Sequence, residues 1–292
     1  MTTNNPAPVP AAAPRGAVQK TFVDAKLLSG FADAAHFEQL AGEYLATLDQ
    51  AARQAAVDAA AASRAFVSQL KPVTLPPSVL RPITGAHVDA IRNDPLFAQT
   101  LGQSPYQFSY VDPATVIALQ PWIEPRADQV PQSEADLLKF ALPQEWDVAA
   151  EVSLIPPAGP IQILSSNPAM QGLMLELDQA SGKVMLSAPK HLNLVQIVHF
   201  NGKYFLKNGY HRVTDALAAG VREFPAIVVE ALSPSDVILP GAGTFNVGYV
   251  LGLQRPPLVA DFNTAAAVAT KLRERRFGVL VGLDIKPVNI GI

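Results

Sequence analysis

The sequence contains no cysteine. Disulfides, zinc-thiolate centres, thiol nucleophiles and dithiol redox relays are excluded at once. Charge is sparse as well: 16% of the 292 residues are Asp, Glu, Lys or Arg and the net charge is -3, which does not supply the broad positive field of a protein that lives on DNA. Long hydrophobic runs are missing. Every apolar stretch meets a charge or a proline well short of the roughly 20 residues a membrane span needs, and the N-terminus lacks a basic start followed by an apolar block. The expectation is a soluble, cytoplasmic protein without a membrane or nucleic-acid partner. What the chain does have is 49% hydrophobic residues, enough to build a core for one large domain or two smaller ones.

Residues 1–20, MTTNNPAPVPAAAPRGAVQK, combine proline, alanine and polar residues with little to bury, the composition of a disordered tail. Residues 21–72 read as a long alanine-rich helical segment. From Phe31 to Leu70 there is no proline and a single glycine, Gly42, and apolar residues recur at Phe37, Ala41, Tyr44, Leu48, Ala51, Ala55, Ala62 and Phe66, the threes and fours of a helix. Unbroken, roughly 40 residues at 1.5 Å each give a rod of about 60 Å, which must find a partner. Two readings stand. In the first, the four-three spacing is a two-helix seam, the protein is a homo-oligomer through Phe31–Leu70, and deleting residues 1–72 leaves a folded monomer that still binds ligand. In the second, the helix, or a pair broken near Ala60, packs within one chain.

Residues 73–107 are read as a linker and short helices: the proline-rich KPVTLPPSVLRPITG, which starts at Lys71, is followed by two short helices split at Pro95. Strand patterns then dominate residues 108–232. They include Phe108–Val111, Val116–Leu119, IQILSS, GLMLELD, KVMLSA and LVQIVHF, with a helix at SEADLLKFAL and hairpin turns at Asp178–Gly182 and Asn201-Gly202. Residues 233–292 form a C-terminal extension with a glycine-rich turn, a proline stop, a helix capped by Asn263 (NTAAAVATKLRERR) and a closing apolar run.

The segment Tyr204–Glu230, YFLKNGYHRVTDALAAGVREFPAIVVE, carries the most information. Gly209 supplies the positive φ of a sharp turn, a short helix follows from Arg212 to Ala219, Gly220 suits a helix C′ position, and PAIVVE reads as a buried strand. A helix N-terminus offers unpaired N–H groups and partial positive charge; Arg212 adds a fork matched to phosphate or carboxylate oxygens and His211 a further donor. The alternative is a polar turn in which Arg212 pairs with Asp215 one turn along.

FNGKYFLKNGYHRVTDALAAGVREFPAIVVE is similar to the core of the ParB/sulfiredoxin-like superfamily, in which a hairpin leads to a Gly-x-[His/Arg]-Arg turn, a helix ending in Gly and a strand starting with Pro. Gly209 matches the turn glycine, Tyr210 the variable second position, His211 the third, and Arg212 the arginine that contacts nucleotide phosphates in that family. VDPATVIALQPW resembles the upstream element that reaches the same nucleotide and nominates Gln120. Tyr210 stands where sulfiredoxins have cysteine and partition-type ParB domains have glutamate, so sulfinic acid reduction through a thiol is excluded at that position. The resemblance implies an α+β fold, a mixed sheet with flanking helices, interrupted by an insertion and preceded by the long N-terminal helical segment. It implies binding of a nucleoside triphosphate such as ATP or CTP, or another phosphate ligand, through Asn208, Gly209, Tyr210, His211, Arg212, Thr214 and Gln120. Mg2+ would arrive with the nucleotide, and NTP hydrolysis or phosphoryl transfer could follow. The alternatives are a non-enzymatic interaction or scaffold protein and a ParB-like nuclease; the acidic net charge counts against the last.

Other candidates are read as structural first. Lys271, Arg273, Arg275 and Arg276 are expected to complement the C-terminal end of a helix, with a phosphate patch as the alternative. Asp261, Glu134 and Asp136 are candidate metal or base carboxylates. His36, His87, His191 and His199 show no metal-ligand spacing, and His199 fits a packed strand position.

Overall fold

In the computed structural model of the chain, residues 21–101, 104–125, 130–144, 151–154, 161–165, 174–178, 183–187, 193–237, 244–273 and 277–281 are described. The stretch at residues 1–20, His191, Arg275, Arg276 and the turn at residues 179–182 lie outside them.

The first half of the chain runs β1 (Phe22–Leu27), α1 (Ala34–Leu45), α2 (Gln50–Ser68), β2 (Val79–Pro82), α3 (Ala86–Arg92), α4 (Pro95–Leu101), β3 (Tyr106–Val111), β4 (Ile117–Ala118), β5 (Trp122–Ile123) and α5 (Glu134–Ala141). The second half runs β6 (Glu151–Leu154), β7 (Ile161–Ser165), β8 (Met174–Asp178), β9 (Lys183–Ser187), β10 (Gln196–Phe200), β11 (Lys203–Asn208), α6 (Tyr210–Ala218), β12 (Phe224–Glu230), α7 (Pro234–Val237), α8 (Val247–Gly252), β13 (Val268–Arg273) and β14 (Phe277–Val281). This is a mixed α+β architecture.

The main sheet has the order β2-β3-β12-β10-β11-β4. Its hairpin β10–β11 closes at Asn201-Gly202, with φ of 51° and 71°, the pair of left-handed residues that a type I′ turn demands. β12 lies between parallel β10 and antiparallel β3. Strands buried on both faces read as continuous apolar runs, and β12 is buried from Phe224 to Val229. The two short helices split at Pro95 and the helix begun by Ser133, whose hydroxyl accepts from Asp136 N at 3.1 Å, form where their sequence signals placed them.

A second sheet, β13-β1-β5, corrects three sequence readings. The segment before the helices opens with a strand, β1, paired over its full length with β13 and at its end with β5. The segment from Asn263 is not a helix. Val268, Thr270 and Leu272 turn inward while Ala269, Lys271 and Arg273 stay exposed, a period of two that outweighs the helical propensity of the alanines. Asn263 ends a 3-10 turn, and its side chain instead accepts from Lys26 Nζ at 2.8 Å and donates to Thr214 O at 3.2 Å. Lys271 and Arg273 therefore sit on a strand, facing Asp24 and Glu43 at 3.4 Å, and complement no helix end.

The helical segment is likewise two helices rather than one rod, and the break falls at Ala46–Asp49, not near Ala60. Asp49 is the reason: its carboxylate accepts from Ala52 N at 2.8 Å and starts α2, as Asp33 starts α1 by accepting from His36 N at 2.7 Å. α1 spends Phe37, Ala41 and Leu45 on a small core with Ala25, Leu27, Ala60 and Leu272. α2 lies so close to the turn after β1 that a Cβ on Gly30 would stand 2.3 Å from Val67 Cγ2. The proline-rich linker contains an edge strand, β2, paired with β3. The C-terminal extension is also joined to the main sheet, because Ala118 N donates to Pro257 O, Val259 N to Val116 O and Phe245 N to Leu119 O.

β6, β7 and β14 form a third sheet and β8–β9 a hairpin. Asp261 is no metal ligand in waiting: 3% exposed, it takes Arg255 through two bonds of 2.7 and 3.0 Å and Leu258 N at 2.7 Å. Among the described residues no helix is long and apolar enough to cross a membrane.

The pairing of β1 reverses the expected outcome of truncation. Leu27 and Leu28 are 0% exposed, so removing residues 1–72 takes both out of the cores they fill and leaves the β13 ladder without its β1 partner. The truncated chain is expected to aggregate on expression, whereas a monodisperse product in light scattering with native near-ultraviolet dichroism would contradict this packing.

Candidate functional site

The first turn of α6 is set by Gly209. Its φ is 95°, a left-handed conformation costly for residues with a side chain, and a Cβ there would stand 2.5 Å from Val195 Cγ2. Glycine is required here by backbone angle and by the close approach of the residue leading into β10. No side chain caps the helix start, so its positive end is completed by whatever else the fold brings near.

What it brings near is the segment from β4 to β5. Tyr210 is 4% exposed, and its hydroxyl accepts from Leu119 N at 2.9 Å and Gln120 N at 3.1 Å while donating to Leu206 O at 2.7 Å. The phenol satisfies two main-chain donors that no strand reaches, and it uses its full hydrogen-bonding capacity. His211 donates from Nδ1 to the carbonyl of Glu124, which fixes that nitrogen as the protonated one. The fold thus places Gln120 beside Tyr210 across 90 residues of sequence, and the Gln120 side chain turns to the Trp122 carbonyl at 2.6 Å.

Arg212 reaches from the turn to the end of α5 and to Asn193. Nη1 donates to Phe140 O and Ala141 O at 3.1 and 3.2 Å, and Nη2 to Asn193 O and Asn193 Oδ1 at 2.6 and 2.9 Å. A guanidinium at the last carbonyls of α5 stands where a helix C-terminus favours positive charge. Asn208 backs the same corner, with Nδ2 donating to Leu194 O at 3.0 Å and Asn193 Oδ1 at 3.2 Å. Thr214 lies inside the fold at 1% exposure, its hydroxyl without a hydrogen-bond partner among the described residues.

Of the seven residues nominated from sequence, Gln120, Asn208, Gly209, Tyr210, His211 and Arg212 meet around one helix start; Thr214 is on the same helix, packed inward. Sequence reasoning missed Phe140, Ala141, Asn193 and Glu124. Three of these meet the turn through main-chain carbonyls, which leave no residue-type signal. Glu134 and Asp136 are accounted for by Arg81 at 3.0 Å and by the Ser133 cap. Among the described residues no group of three or more His, Asp or Glu side chains could hold a metal ion. His87 donates from Nε2 to Leu142 O at 2.8 Å. His199 is no packed core residue: 27% exposed, it stacks on Tyr204 at 4.5 Å and meets Glu230 through Nδ1 at 2.8 Å.

Two outcomes follow for Tyr210. Tyr210→Phe keeps the ring and orphans three main-chain groups, so it is expected to cost about 2 to 4 kcal/mol in denaturant unfolding. Burial also raises the Tyr210 phenol well above the ordinary 10.0, and burial, followed by the hydrogen bond its hydroxyl donates to Glu134, pushes Tyr110 up to about 12. Below pH 10 folded and unfolded chains both keep these protons. Above it the unfolded chain releases them first, so stability falls as pH rises, and the fall is expected to be shallower in Tyr210→Phe. Equal alkaline slopes in the two proteins would contradict the burial of this hydroxyl.

No protein-family model, no curated protein and no solved structure matches this chain.

Proposed function

We propose that the chain binds a phosphate-bearing ligand, a nucleoside triphosphate or a similar polyanion, at the first turn of α6. The observation that carries this reading is the meeting of His211, Arg212 and the Gln120 segment at a glycine-started helix N-terminus with no side-chain cap. Helix dipole, backbone donors and guanidinium all favour negative charge there. Mg2+ enters with the nucleotide, bound mainly through its phosphates. The proposal is for binding; hydrolysis or phosphoryl transfer is a consequence to be assayed once a ligand is in hand.

One observation favours a second reading, in which the turn is purely structural and the chain is a non-enzymatic scaffold. Four bonds from the Arg212 terminal nitrogens, and three at the Tyr210 hydroxyl, go to the protein itself among the described residues.

Thermal unfolding with ATP, CTP, GTP and tripolyphosphate, with and without Mg2+, separates the two. A ligand at 100 times its dissociation constant stabilises by about 2.7 kcal/mol, a rise of roughly 5 to 10 °C for a chain of this size. The binding reading expects such a rise with at least one of them and its loss in Arg212→Lys, which keeps the charge without the planar fork. If no polyphosphate moves the wild-type midpoint at millimolar concentration, the scaffold reading replaces it.

A further inference from the structure

α2 is held unevenly along its length. Its last turns are anchored: Phe66, Val67 and Leu70 pack against the main core, Val67 lies against Gly30, and Ser63 donates to Ala266 O at 2.8 Å. Residues 50–62 are different. Ala60 alone is buried there, and only Ala56 and Val57 are half-buried, so three small side chains hold roughly three and a half turns of helix. Alanine buries little apolar area, and these turns stay helical mainly because alanine favours the helix.

The seam between α2 and β13 also carries two unmet donors. The buried Nη1 of Arg64 and the buried Oγ1 of Thr270 find no hydrogen-bond partner among the described residues. Arg64 stands one turn beyond Ala60, which packs with Ala25, Leu27 and Leu272; Thr270 stands opposite Ala25 and turns to the same side as Leu272. A helical side chain leans toward the N-terminus, so Arg64 lies along the turns that precede it. Both groups lose water when those turns lie on β13. A buried donor without an acceptor favours any state in which water reaches it, and more so when it carries a charge.

We infer that α2 is a hinged strap: its N-terminal turns lift from β13 as a unit about the anchor at Ser63–Leu70, while the main sheet stays folded. The break at Ala46–Asp49 lets α2 move without α1. In the open state the Arg64 guanidinium and the Thr270 hydroxyl are hydrated, and the side of β1 and β13 that carries Ala25, Leu27 and Leu272 loses its cover from Ala60. The strap does not depend on any ligand at the α6 turn.

Native-state hydrogen–deuterium exchange on the full chain tests this. Amides of residues 53–63 are expected to exchange together, roughly a hundredfold or more faster than those of β12. Arg64→Met keeps the stem and the helix propensity and removes the charge; it is expected to slow exchange over 53–63 roughly tenfold, the factor that one unmet buried donor supplies. Thr270→Val is expected to act in the same direction, and Arg53→Met, the same change at an exposed position, to leave exchange unaltered. Gly30→Ala, whose Cβ would stand 2.3 Å from Val67 Cγ2, is expected to loosen the anchor and speed exchange over 53–68 with β12 unchanged. Exchange over 53–63 that matches β12, that rises in a gradient toward residue 50 as in simple fraying, or that is unchanged or faster in Arg64→Met overturns the strap. So does a Gly30→Ala protein in which β12 loses protection along with α2, since the two would then be one cooperative unit.

Discussion

The hydroxyl of Tyr210 sits where two sheets and a helix must be joined by a segment too short to join them through strand pairing. Between β4, which ends at Ala118 in the main sheet, and β5, which begins at Trp122 in the second, the chain must turn. Leu119 is fully buried, yet its N–H and that of Gln120 find no strand partner. A buried unpaired N–H costs about 1–3 kcal/mol. The phenol removes two such costs with one oxygen and returns its own proton to Leu206 O. Position 210 must therefore be long enough to cross from α6 to the β4–β5 segment and must carry a hydroxyl at its tip.

The remaining contacts of the turn build outward from that joint. His211 grips the same segment further along at the Glu124 carbonyl, and Pro121 O accepts from Leu28 N at 2.7 Å, which draws in the end of β1. On the other side Arg212 and Asn208 gather α5, Asn193 and Leu194. The five residues Asn208–Arg212 thus touch the segment that links the two sheets, the end of α5 and the chain that leads into β10. This density of polar contacts ties the first turn of α6 to the elements around it.

Local chemistry was legible in the sequence wherever one residue type has one structural use. Asn201-Gly202, Gly209, Gly220 and the apolar run of β12 were readable because positive φ and two-sided burial leave few alternatives. The N-terminal region misled because its many helix-forming alanines say nothing about length; the stop was written in Asp49, whose capping role competes with helix continuation. Val268–Arg273 misled in the opposite sense. Its alternation of Val, Thr and Leu with Ala, Lys and Arg was present, but β1, the strand that makes this pattern useful, lies over 240 residues away. For the site, the sequence pointed to the residues that carry donors. It could not point to the carbonyls of Phe140, Ala141 and Glu124, since every residue has one and only the fold selects among them.

Amide hydrogen exchange at Leu119 and Gln120, resolved residue by residue by NMR, tests the joint most directly. The account predicts that both amides in the wild-type protein exchange near the rate of global unfolding although neither belongs to a strand ladder, and that both become fast in Tyr210→Phe while the amides of β12 remain slow. Rapid exchange at Leu119 and Gln120 in the wild-type protein, or protection that survives loss of the hydroxyl, would contradict it.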